Sequence, residues 1–123
     1  MVVCAVVVAG LLAPPVLAVE AASGETVPFC TAAGSQERPD IDGGMIVWED
    51  GRDGRYIYYS TTPGSDGRRI TDGYAGQEYP SVSGDYIFWQ DQRHGNTEIY
   101  LFSPSGGERR VTNSTTGQRM PVV

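Results

Sequence analysis

Trp48, Asp50 and Arg52 stand at two-residue intervals, and Trp89, Asp91 and Arg93 repeat the series 41 residues later. A carboxylate beside a guanidinium is the minimum equipment for holding a polar ligand, so these six residues could form a binding ring. The same types also build structure. Trp can fill the gap between packed sheets, Asp can accept hydrogen bonds from turn amides, and Arg can pair with a neighbouring carboxylate. Recurrence at one place in each repeat is what packing demands, whereas a ligand site breaks the symmetry. The structural assignment is therefore the expectation. Asp40-Ile41-Asp42-Gly43-Gly44 resembles part of a calcium loop, but Ser81 and Ser83 replace both carboxylates in the second copy. A closing bidentate Glu is missing too, so no metal is expected there. His94 is the single His and has no second ligand or nucleophile beside it, which leaves it as a turn residue. Ser60, Ser81 and Ser103 lack the context of a catalytic serine. No catalytic residue and no cofactor are expected, and no ligand-binding residue can be named. Asn113-Ser114-Thr115 fits a glycosylation acceptor, with Asn113 as the possible site.

The elements that carry these residues follow from the period. Residues 36–76 laid on 77–117 without a gap match Gln36 with Gln77, Pro39 with Pro80, Gly43 with Gly84 and Ile46 with Ile87. They also match Gly54 with Gly95, Tyr59 with Tyr100, Arg68-Arg69 with Arg109-Arg110 and Thr71 with Thr112. A period near 40 residues, made of short apolar runs and Gly-rich turns, predicts propeller blades of four antiparallel strands. The fold expected is all-β: a partial β-propeller with two blades, 36–76 and 77–117, and the start of a third at 118–123. In the first copy the strands are expected over 39–41, 45–49, 56–61 and 68–71. In the second they are expected over 79–82, 86–89, 98–102 and 108–112, with 91–96 as a turn. The run Tyr86-Ile87-Phe88-Trp89 suggests a strand buried on both faces. Tyr56-Ile57-Tyr58 matches Glu98-Ile99-Tyr100 better when shifted by one residue, so the inward side chains of the third strand are open at this stage.

Gln77-Glu78-Tyr79-Pro80, Ile87-Phe88-Trp89-Gln90-Asp91-Gln92-Arg93-His94-Gly95, Ile99-Tyr100 and Arg109-Arg110-Val111-Thr112 together resemble the TolB-like β-propeller repeat. The likeness is closest to the version found in surface and secreted proteins of prokaryotes, especially archaea, and it covers residues 36–123. It implies a scaffold for protein contacts, a role the fold alone does not fix.

Residues 2–19 carry no charge. Pro14-Pro15 and the small residues before a cut after Ala18 suggest a signal peptide over 1–18, with an uncleaved anchor as the alternative. Residues 19–35 read as a linker. Once Cys4 leaves with the leader, Cys30 has no partner for an intramolecular disulfide. The net charge of −6 and the lack of a basic stripe argue against nucleic acid. The expected function is an exported, non-enzymatic module, secreted or at the cell surface, or periplasmic in a Gram-negative cell. Its expected partners are surface or periplasmic proteins or glycans, with self-association through unpaired blades. The alternative is the N-terminal propeller of a longer hydrolase or peptidase.

Overall fold

The computed structural model describes residues 28–73 and 76–123. The expected signal peptide with Cys4, and residues 19–27 of the expected linker, lie outside the described residues. Two four-stranded antiparallel sheets follow one another along the chain. In the first, β1 (Gln36–Asp42), β2 (Met45–Asp50), β3 (Tyr56–Ser60) and β4 (Arg68–Arg69) lie side by side in sequence order. The second sheet repeats that order with β5 (Glu78–Ser83), β6 (Tyr86–His94), β7 (Asn96–Ser103) and β8 (Gly107–Arg110). The described residues contain no helix. Most strand positions agree with expectation, but 91–96 is not a loop. β6 continues through His94 and turns at Gly95, where its N–H donates to the Gln92 carbonyl at 3.0 Å.

The third-strand alignment is settled by pairing. Trp48 lies opposite Tyr58, and Trp89 lies opposite Tyr100. The two strands thus correspond at a spacing of 42, the shifted match, and Tyr59 is not the counterpart of Tyr100. The count returns to 41 at the outer strands, where Tyr58 pairs with Arg69 and Tyr100 with Arg110. The β6–β7 hairpin holds one residue more than its counterpart, and the β3–β4 connection holds one more in compensation. Had the slip not been absorbed in the hairpins, every side chain of the strand would face the other way.

Met45, Val47, Ile57 and Tyr59 of the first sheet form one buried cluster with Val82, Ile87, Trp89 and Tyr100 of the second. Tyr59 and Phe102 add a tilted ring contact at 5.6 Å. The expectation of burial on both faces of 86–89 needs correction. Ile87 and Trp89 are fully buried against the first sheet, while Phe88 is half-buried and Tyr86 exposed. Side chains alternate across a strand, and among the described residues only one face of β6 has a sheet against it. Trp48 does not fill a gap between the two sheets either. It lies on the face of the first sheet turned away from the second, where it stacks on Tyr58 and lies close to Gly67.

The end of the presumed linker is bound to the first sheet. The Ser35 carbonyl accepts from Gly51 N–H and the Phe29 carbonyl from Gly64 N–H, both at 2.8 Å. Cys30 is a free, half-buried thiol that accepts from Arg52 Nη2 at 3.6 Å.

Candidate functional site

Both Trp-x-Asp-x-Arg series run from the second strand of a sheet toward the hairpin that follows. The indole N–H of Trp48 donates to Asp50 Oδ2 at 2.8 Å, and that of Trp89 to Asp91 Oδ2 at 3.1 Å. Arg52 closes on the same carboxylate. Its backbone N–H and its Nε each reach Asp50 Oδ1 at 2.9 Å, and its Nη2 reaches Oδ2 at 2.7 Å. Arg93 does likewise, with its backbone N–H 2.9 Å from Asp91 Oδ1 and its Nη2 2.6 Å from Oδ2. Each guanidinium then lies over the tyrosine opposite the tryptophan. Arg52 stands 4.4 Å from the centre of the Tyr58 ring, and Arg93 4.4 Å from that of Tyr100. Remaining donors are used as well, Arg52 Nη2 on the Asp66 carbonyl and Arg93 Nη1 on Glu108, both at 2.6 Å.

Electrostatics reinforce this pairing. Burial pushes the Asp50 and Asp91 carboxyls up, but hydrogen bonds from the arginines, the turn amides and the indoles outweigh it. Both groups are held below the usual carboxylate range. The same pairing holds the Arg52 and Arg93 guanidiniums above their ordinary value. Each carboxylate is held in its charged form, and its oxygens already accept from the indole, the turn amide and the guanidinium. Asp50 and Asp91 accept turn amide hydrogens and each Arg pairs with a neighbouring carboxylate, the Asp two residues before it, whereas of the two tryptophans only Trp89 packs between the sheets.

Asp40 and Asp42 join the two sheets. Asp40 Oδ2 accepts from Ser81 Oγ at 2.9 Å and from Val82 N–H at 2.8 Å, and Asp42 Oδ2 accepts from Gly84 N–H at 2.7 Å. Among the described residues no three His, Cys, Asp or Glu side chains gather as a metal site. His94 is exposed and pairs with Asn96 across the tight hairpin. Asn113 is exposed beyond β8.

Sequence reasoning missed a second recurring device. Arg38, Tyr79 and Met120 all have left-handed backbones, with φ of 49°, 55° and 48°. Non-glycine residues rarely hold that region unless their surroundings compensate. The compensation is a hydrogen bond to the preceding unit: Tyr79 N–H donates to Glu49 Oε1 at 2.8 Å, and Met120 N–H to Gln90 Oε1 at 3.3 Å. Buried Glu49 is also paired with Arg38 at 2.6 Å. The signal was present as Pro39, Pro80 and Pro121 at the 41-residue spacing, each preceded by one of these residues. A buried carboxylate with no equivalent in the first copy was missed as well. Glu98 accepts from the Thr112 hydroxyl and from Ser114 N–H at 2.9 Å, which together lower its pKa, and Arg110 pairs with it at 3.0 Å. Three segments one period apart, 38–40 in β1, 79–81 in β5 and 120–122 beyond β8, line one open cavity of about 500 Å³.

No protein-family model and no curated protein matches the sequence.

Proposed function

We propose that the chain is an exported, non-enzymatic module of the TolB-like β-propeller kind, a scaffold that binds proteins or glycans at the cell surface. One observation carries the reading: the polar groups that recur in both sheets are consumed by one another, in Asp50–Arg52–Trp48 and in Asp91–Arg93–Trp89. Such groups hold a repeating frame and leave recognition to positions that differ between copies. The blade assignment is supported by the convergence of residues one period apart, 38–40, 79–81 and 120–122, on a single cavity. Blades around a common centre bring equivalent residues together in that way. The cavity also offers the contact surface. Arg38 lies 4.5 Å over the Tyr79 ring, and the side chain of Met120 is exposed beside it.

The test is calorimetric titration of the purified chain with cell-wall polysaccharide and with a surface-protein preparation. The reading expects saturable binding to one of them, abolished in the double variant Tyr79→Ser, Met120→Ser without a change in β-type circular dichroism. Absence of binding to both, or turnover of a peptide or ester substrate by the chain, contradicts it. Fractionation of cells expressing a tagged chain tests export, which requires the protein outside the cytoplasm.

A further inference from the structure

Among the described residues, each sheet face left open has a counterpart, one repeat away, that is closed. Tyr86 is 52% exposed and Phe88 half-buried, whereas Met45 and Val47, 41 residues earlier, are 6% and 0% exposed against the second sheet. On the opposite side of the molecule Ile41 is 63% exposed and Ile46 half-buried. Their counterparts Val82 and Ile87 are 3% and 0% exposed against the first sheet. The open face of the second sheet therefore repeats the face that the first sheet already buries. The open face of the first sheet repeats the one that the second already buries. They are the two halves of an interface the molecule makes once internally.

We propose that these faces join copies of the chain head to tail: the Tyr86–Phe88 face of one copy receives the Ile41–Ile46 face of the next. The polar seam has a place ready. At the internal junction Glu49 accepts the N–H of left-handed Tyr79, and at the open junction Gln90 holds the N–H of left-handed Met120 at 3.3 Å. Arg38 of an incoming copy has the same backbone conformation as Met120, with φ of 49° against 48°. Its N–H replaces that of Met120 on Gln90 as β1 of the incoming copy displaces residues 120–123. That displacement is favoured because Val122 and Met120 are mostly exposed where they lie. The contact is heterologous, so it propagates from copy to copy, into a ring where the rotation closes and into an open filament where it does not. This goes beyond the binding role proposed above and does not depend on it.

Sedimentation velocity of the full chain over a range of concentrations provides the test, with Ile41→Arg blocking one face and Tyr86→Arg the other. Both side chains are exposed, so the fold is expected to survive, and β-type circular dichroism checks this. Ile46→Arg and Phe88→Arg serve as a second pair. The wild type is expected to rise in mass with concentration, and each single variant to stay at monomer mass. A mixture of the two variants is expected to double in mass, because one open head meets one open tail. A monomeric wild type, a single variant that still associates, or a mixture that stays monomeric overturns the proposal. Symmetric pairing of two Tyr86 faces would appear as association of Ile41→Arg alone, which counts against it as well.

Discussion

At the scale of the residue, the chemistry of Asp91 is decided by what already touches it. The carboxylate is buried and takes hydrogen bonds from the Trp89 indole and from Arg93, so its charge is compensated where it stands. Asp91→Asn leaves Arg93 paired with Glu108 at 2.6 Å but weakens the bonds that the carboxylate accepts. The expected loss is about 1–3 kcal/mol in urea unfolding. The pH dependence follows from the lowered pKa values of Asp50 and Asp91. Their contribution to stability is complete above the unfolded-chain value of about 3.9 and fades as pH falls through the lower folded values. Melting temperature measured from pH 7 to pH 2 should therefore decline below about pH 4 on their account, and Asp91→Asn should decline less steeply. That these residues build structure was legible from their recurrence in the sequence. That each Arg closes on the Asp two residues before it was not, because backbone direction in the hairpin decides where the guanidinium falls.

Between strands, the two sheets differ in ways that single residues explain. Thr71 Oγ1 accepts from buried Ile57 N–H at 2.9 Å, and Thr112 Oγ1 from Ile99 N–H at 2.8 Å. Each hydroxyl replaces a ladder partner where the short outer strand ends. Thr71→Val keeps the shape but leaves the amide unpaired, for an expected loss of about 1–3 kcal/mol in denaturant unfolding. The Glu49 and Gln90 positions predict an asymmetry. Glu49 has Arg38 as a partner, whereas Tyr79 stands at the equivalent place beside Gln90. Glu49→Gln should thus cost little, about 1 kcal/mol, since the amide oxygen still accepts from Tyr79 N–H. Gln90→Glu should cost more, because it replaces the Nε2 donor to Glu78 at 3.3 Å with a second carboxylate; the two variants compared by thermal unfolding give the order directly. Strand identity and order were readable from the period, and so were the two ways of aligning the third strand. Choosing between them required the pairing of Trp48 with Tyr58, a contact that no spacing along the chain reveals. The reach of β6 to His94 was hidden because Asp91, Gln92 and His94 look like turn residues, yet the strand pairing carries them.

Over the whole molecule, the two sheets share one core. Val47 and Ile57 of the first sheet and Ile87 and Trp89 of the second are all fully buried in one cluster, and Asp40 and Glu49 add hydrogen bonds across the seam. Neither sheet buries its apolar face alone, so the two should open together. The indole hydrogens of Trp48 and Trp89 report this, since each is bound to a buried carboxylate in a different sheet. Hydrogen exchange of both, followed by NMR in the wild type and in Val47→Ala, tests the claim most directly. A shared core gives equal protection in the wild type and an equal acceleration of both in the variant. Faster exchange of Trp48 alone, with Trp89 protected as before, would show two independent sheets and contradict it.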